Sequence, residues 1–238
     1  MLHSSSHILT VIPARGGSIR VPDKNIRPFA GKPLIVHTIE QALKSDISER
    51  VIVDTDSPRI AQIAKKYGAE VPFLRPPELA TADAKVADAL CFLLGRLHKE
   101  EKYKPEYLLL LQATSPLREV EDIRACSERM RVENAQTVLT VCPAQPRHDD
   151  LVFVDATGRV SGDVAPQGVS VLRGCTGAVY LIRVADFLKT RKIIMNKTAT
   201  VLCPSWRSID IDTMEDWAVA ETLFSRREEI KKAIAHPL

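Results

Sequence analysis

The sequence predicts an α/β fold: a mostly parallel sheet flanked by helices, with one small β-rich insertion. Three observations carry this prediction. Short apolar, β-branched runs alternate with segments of helical period from residue 8 to residue 142. Polar or glycine-containing loops follow the apolar runs. The alternation stops at Pro143 and resumes near Gly177. Repeated β-α units build parallel sheets through right-handed crossovers, with helices on both faces.

Each element has its own signal. Residues 8–13 form a buried strand, and residues 33–44 carry apolar side chains at helical spacing. Residues 50–55 (RVIVDT) form the next strand. Asp56-Ser57-Pro58 then supplies a cap and a first-turn proline, opening a helix to about Tyr67. A short strand is expected at 70–74 and a helix at 83–98. Residues 107–111 (YLLLL) form a continuous apolar strand of the type buried in parallel sheets. A charged amphipathic helix spans 119–133, and a strand spans 137–142. Pro143, Pro146 and Pro166 punctuate the next stretch, where residues 151–154, Gly158 and Val160 suggest a hairpin. Residues 143–173 therefore read as an inserted arm, of the kind used in dimerisation, between two parts of one domain, 1–142 and 174–238. Strands at 177–182 and 200–203 and one helix over 214–235 complete the chain.

Composition narrows the function classes. A chain of 238 residues can bury a core of its own without disulfide or metal support. The net charge of +3 is dispersed over interspersed acids and bases, which leaves no nucleic-acid footprint. Five widely spaced cysteines contain no C-x-x-C pair, so they read as buried small side chains in a reducing, cytoplasmic setting. The first residues lack a signal-peptide pattern, and the apolar runs are too short to span a bilayer.

Three clusters carry chemistry. The first follows the opening strand: Ala14-Arg15-Gly16-Gly17-Ser18-Ile19-Arg20, then Lys24 and Asn25. Glycines let backbone N–H groups approach phosphate oxygens, and the cations offset their charge. Neither the Walker A pattern nor the dinucleotide fingerprint is present. The bland alternative is a solvated turn. The second cluster is Ser208-Ile209-Asp210-Ile211-Asp212-Thr213. If this segment is extended, both carboxylates share one side and both isoleucines the other. Paired oxygen ligands suit a hard ion such as Mg²⁺. Alternatively Asp212 caps the last helix, with Glu215 completing a capping box. The third cluster is Gln112-Ala113-Thr114-Ser115-Pro116-Leu117-Arg118, delivered by a buried strand to the sheet rim. It is either a ligand-facing set led by Gln112 or a turn with capping hydroxyls.

With these motifs in order, the chain resembles the acylneuraminate cytidylyltransferases and their pseudaminate and legionaminate relatives. The resemblance runs through VIPARGGS, PDKN, AGKPLI, VIVDTDSP, FLRPPELAT, LLQATSPLR, TGAVYLI and SIDIDTMEDW. It implies a Rossmann-like nucleotide-binding domain with a dimerisation insertion, working as a homodimer. It implies transfer of CMP from CTP to a nonulosonic sugar acid, with release of pyrophosphate and with Mg²⁺. By the same resemblance Arg15, Gly16, Ser18, Lys24 and Asn25 belong to the triphosphate loop, and Arg75 lies beside the cytosine. Gln112 faces the sugar acid. Asp210 and Asp212 hold the metal, and Lys24, Arg15 and Asp212 carry catalysis. Arg147 and Arg173 are candidates for the sugar carboxylate, since guanidinium binds carboxylate bidentately. The chain departs from the pattern at Ile19, where a cation is usual, at Ala82, at Thr176, and throughout the insertion. Those departures leave open a 3-deoxy-octulosonate as the acid, or a non-catalytic binding homologue.

Overall fold

A computed structural model describes residues 7–144, 151–155, 157–160 and 171–235. Its strands are β1 (Ile8–Pro13), β2 (Pro28–Phe29), β3 (Lys32–Pro33), β4 (Arg50–Asp54), β5 (Tyr107–Leu111), β6 (Thr137–Pro143), β7 (Leu151–Val154), β8 (Val171–Arg183) and β9 (Thr198–Leu202). Its helices are α1 (Leu34–Ser45), α2 (Pro58–Lys66), α3 (Val86–Glu101), α4 (Val120–Glu133), α5 (Val184–Thr190), α6 (Met214–Ser225) and α7 (Arg227–Ala235).

The main sheet runs β4-β1-β5-β8-β6-β9, with β7 added against β8. β1 pairs in parallel with both β4 and β5, and β6 pairs in parallel with β9. β8 is antiparallel to both β5 and β6. The sheet is therefore mostly parallel with one reversed strand, as the alternation predicts. Leu108, Leu109 and Leu111 on β5 are fully buried because both faces of the sheet are covered. On one face Ile35, Ile60 and Ile123 of α1, α2 and α4 pack on Ile12, Val53 and Leu109. On the other, Leu90 and Phe187 of α3 and α5 pack on Leu9, Leu108 and Ile182. A third cluster joins Val21, Phe29 and Leu117 to Ile209, Ile211 and Trp217, and so ties the last third of the chain to the loops at the sheet rim.

The structure corrects several expectations. Residues 70–74 form no strand: Glu70 makes one isolated bridge with Ile52, and Pro72, lacking an N–H, cannot continue the ladder. α3 begins at Val86 rather than residue 83, because Thr81 closes a turn with the Ala84 N–H at 3.4 Å. The terminal helix is two helices. Arg226 leaves helical geometry, and the hydroxyls of Thr222 and Ser225 bond back to carbonyls one turn earlier, which weakens a helix interior. α5 has no counterpart in the expected elements, and β8 extends six residues ahead of the expected strand start of residue 177. The hairpin over 151–160 is present: the Asp155 N–H donates to the Arg159 carbonyl at 2.9 Å, and Val154 bridges Val160. Its described residues join the main sheet, since Arg159 also bridges Ala199 on β9. Arg147 lies outside the described residues.

Candidate active site

β1, β4 and β5 point the same way, so their carboxyl ends share one rim, where ligands of such sheets bind. A cleft of about 620 Å³ opens there. Its lining includes Arg15, Ser18, Lys24, Asn25, Arg75, Gln112, Asp210 and Asp212, residues drawn from across the whole chain. Five cations, Arg15, Arg20, Lys24, Arg75 and Lys85, face two carboxylates. The cleft is thus built for a polyanion. A larger cavity of about 770 Å³ lies between α1, the start of α4 and the last two helices. There Lys32 is paired with Glu40 and Lys231 with Glu119, so its charge is largely answered internally. The rim cleft is the better candidate.

The basic loop is held from several sides. The Gly16 N–H donates to Asp56 Oδ1 at 2.8 Å, and a Cβ on Gly16 would stand 3.0 Å from Ser57 Cβ. Glycine is needed at 16 because the loop approaches the start of α2 so closely. Asn25 is buried, and its side-chain amide donates to the Arg15 carbonyl at 3.1 Å. Arg15 Nη1 donates to the Thr81 carbonyl at 2.8 Å, linking the loop to the opposite wall. Lys24 Nζ donates to the Ile211 carbonyl at 2.7 Å and lies 3.2 Å from Asp212 Oδ1. Arg20 Nη2 lies 3.1 Å from the other Asp212 oxygen.

The 208–213 segment has the alternation expected of it. Ile209 and Ile211 are buried, while both aspartates open to the cleft. Ile211 is fixed by its N–H to the Thr114 carbonyl at 2.9 Å. The capping alternative for Asp212 does not hold. Thr213 is the N-cap of α6, and Asp216 completes the capping box in place of Glu215. Asp212 therefore stays available to the cleft. Asp210 opens to cleft solvent yet is ringed by protein. That desolvation pushes its carboxyl above the ordinary value, against a lowering hydrogen bond from Thr114, and the Asp212 charge adds to the rise.

Gln112 follows β5 directly. Gly177 on β8 has φ +71°, and a Cβ there would meet Gln112 Oε1 at 2.9 Å and Asp210 Oδ2 at 3.9 Å. The positive φ favours glycine here, and a Cβ would also push the Gln112 side chain aside. Behind this strand end, Arg118 is 2% exposed. It donates to the carbonyls of Gln112 (3.1 Å) and Ala178 (2.7 Å), to Thr38 Oγ1 (2.8 Å) and to Gln41 Oε1 (3.0 Å). Thr176 is buried beside the β6 bulge and shares a 2.6 Å hydrogen bond with Thr140. Its role there is structural.

Arg173 is not brought to the cleft. It sits on the β8 extension opposite Val152 and Pro143 and does not line the cleft in the described chain. Three groups escaped the sequence reading: Arg20 as a partner of Asp212, Lys85 on the cleft wall, and Asp54 beneath Arg75. Its position at the end of an apolar strand, Val-Ile-Val-Asp, places Asp54 at the rim, but nothing local gives its pairing with Arg75.

A mostly parallel α/β sheet with a cationic glycine loop facing two carboxylates at its rim defines a nucleotide-handling protein of the nucleotidyltransferase type. Residues 9–156 match the family described as cytidylyltransferase. The chain is 36% identical over 229 residues to the CMP-N,N'-diacetyllegionaminic acid synthase of Legionella pneumophila, covering 93% of this chain and 98% of that protein. It is 28% identical to a pseudaminic acid cytidylyltransferase of Campylobacter jejuni, covering 93% and 97%. Its fold matches that of a CMP-2-keto-3-deoxy-manno-octonic acid synthetase complexed with CTP, with a TM-score of 0.74 at 19% identity, covering 93% of this chain and 100% of the other. The chain belongs to the cytidylyltransferase family of CTP-dependent nucleotidyltransferases.

Proposed function

We propose that this protein transfers CMP from CTP to the anomeric hydroxyl of a nonulosonic, sialic-acid-like sugar acid and releases pyrophosphate. The observation that carries the reading is the convergence of Lys24, Arg15, Gln112, Asp210 and Asp212 on one cleft, in a chain that covers its nonulosonate-handling relatives nearly end to end.

Phosphoryl-type transfer leaves the protein little covalent work, so positioning and charge stabilisation dominate. The Arg15–Asn25 loop, with Gly16 and Ser18, holds the triphosphate. Lys24 and Arg15 offset the charge that builds on departing pyrophosphate. Lys24 is suited to this because its side chain is only 14% exposed and is already aimed by the Ile211 carbonyl. Arg75 lies on the nucleoside side, and Gln112 faces the acceptor sugar.

Two carboxylates fit a hard divalent ion such as Mg²⁺ that takes its remaining ligands from phosphate and water. The raised carboxyl of Asp210 fits the same reading, since a bound cation would offset its desolvation and the neighbouring Asp212 charge. Asp210 and Asp212 would hold the ion, which supplies Lewis-acid polarisation of the α-phosphate when bound. In our reading residues 143–173 form the dimerisation arm of a cytoplasmic homodimer, and because Arg173 lies away from its own chain's cleft, Arg173 and Arg147 would meet the sugar carboxylate across the dimer.

The test is pyrophosphate release from CTP and Mg²⁺ across a panel of nonulosonic acids, with a 3-deoxy-octulosonate included. Release with one or more nonulosonic acids is expected. CTP binding without release from any acid would favour a non-catalytic binding protein. Release with the octulosonate alone, or with GTP or UTP in place of CTP, would overturn the substrate assignment.

A further inference from the structure

We infer that Asp54 is a positioning residue that holds Arg75 for the nucleoside portion of CTP and keeps that guanidinium from acting as a phosphate site. The inference rests on reading the rim cleft as the CTP site.

Asp54 ends β4 and is 3% exposed, and Arg75 is 7% exposed. Arg75 Nη2 lies 2.7 Å from Asp54 Oδ2. The same nitrogen donates to the Asp54 carbonyl at 2.8 Å, so Asp54 holds Nη2 through both its main chain and its carboxylate. The Arg75 N–H donates to the Thr55 carbonyl at 2.7 Å, which fixes the backbone as well. Burial drives the Asp54 carboxyl upward and the Arg75 charge opposes that rise, so each ion depends on the other.

The consequence is a division of labour among the cleft cations. Arg75 meets the cleft with its charge already answered by a buried carboxylate. A neutralised guanidinium keeps its planar donors but loses its long-range pull on an anion. It suits uncharged acceptors, such as a pyrimidine carbonyl and ring nitrogen. The phosphates are left to Arg15, Arg20 and Lys24. Two residues along the same rim, Asp56 holds Gly16 of the phosphate loop. The end of β4 thus braces both walls, Asp54 the nucleoside wall and Asp56 the phosphate wall.

The experiment is steady-state kinetics of Asp54→Asn with CTP, together with inhibition by pyrophosphate, which probes the phosphate subsite alone. The KM for CTP is expected to rise about 10-fold or more, as when one charged partner is lost from a buried site. kcat and the pyrophosphate inhibition constant should change less than about 3-fold. A purely structural role would lower the melting temperature but leave the KM for CTP near wild type, and that result overturns the inference. So does equal weakening of CTP and pyrophosphate. If Asp54→Asn fails to fold, the Asp54→Asn/Arg75→Gln double variant removes both buried charges at once. It should show the same split, and a wild-type KM for CTP in it would refute the role. A wild-type protein that releases no pyrophosphate from CTP with any acid sinks the underlying reading instead, because an unaltered Asp54 cannot account for that failure.

Discussion

Arg118 offers the sharpest test of how the fold supports the cleft. Its guanidinium is fully enclosed, and no ion pair joins it among the described residues. Burial pushes it down from 12.5 to about 10, with the Asp122 charge only partly opposing the fall. At 1.36 kcal/mol per pH unit, holding the charge inside costs about 3 kcal/mol. Four hydrogen bonds, two to buried and two to half-buried acceptors, offset this. At about 1.5 kcal/mol each, the low end for charged donors, they return about 6 kcal/mol. The expected cost of Arg118→Met is therefore about 3 kcal/mol. For a chain of this size that is a fall in melting temperature of roughly 6–12 °C. The variant should also raise the KM for the acceptor acid, because the Gln112 carbonyl loses its anchor while the Gln112 side chain remains. Thermal unfolding, followed by pyrophosphate release at a temperature where the variant is folded, measures both effects. A melting temperature within 1–2 °C of wild type would show that the relief of charge burial cancels the lost hydrogen bonds, and the reasoning would fail.

Other expectations can be tested on the same preparations. Lys24→Ala should lower kcat by about 10²-fold or more, as for other lost charge-stabilising groups, and undiminished pyrophosphate release would remove Lys24 from the mechanism. Asp210 has a folded-state pKa raised above its unfolded value, so stability is lost as pH rises through that interval and its ionised form is unfavourable at neutral pH. Asp210→Asn should therefore melt higher than wild type at pH 7 while losing most activity; a lower melting temperature would contradict the sign. Burial lowers the pKa of His37 below 6.5, opposed by its hydrogen bond to the Phe29 carbonyl. Its contribution is complete above pH 6.5 and is lost as pH falls toward the folded-state value. The gap in melting temperature between wild type and His37→Gln should narrow from pH 7.5 to pH 5, and a constant gap would count against a buried neutral imidazole.

What could be read in the sequence follows from the range of the forces involved. β1, β5 and β6 are legible because burial on both faces writes a continuous apolar run into the local sequence. α2 is legible because Ser57 and Pro58 mark its start, and Ser57 does accept from the Ile60 N–H. The Ile209/Ile211 and Asp210/Asp212 division is legible because a period of two is local. Long-range pairing is not written this way. Nothing local tells that β8 enters antiparallel between β5 and β6, or that its first residues pair with β7. Glu70 reads as strand because Val71 and Leu74 are apolar, but Pro72 decides otherwise. The cleft residues were legible through motif order. Their partners, such as Thr81 for Arg15 and Asp54 for Arg75, depend on which loops meet in space.

Ile19 shows how one departure redistributes the work of the loop. The cation that the family resemblance leads one to expect here is absent, and the isoleucine stands 80% exposed on the cleft lining. An exposed isoleucine gains little for folding, so its position reflects the loop path rather than core packing. Arg20, next in the chain, does not replace the missing cation in the described arrangement. It turns to Asp212, whose other oxygen is taken by Lys24. A carboxylate between two cations is electrostatically satisfied before any ligand arrives. Triphosphate and a divalent ion would compete for these same partners: the ion for Asp212, the phosphates for Arg20 and Lys24. The two exchanges favour each other, because a cation on Asp212 frees Arg20 and Lys24 as phosphate draws them away. Under the proposed function, the loop is therefore suited to bind metal and nucleotide together rather than either alone.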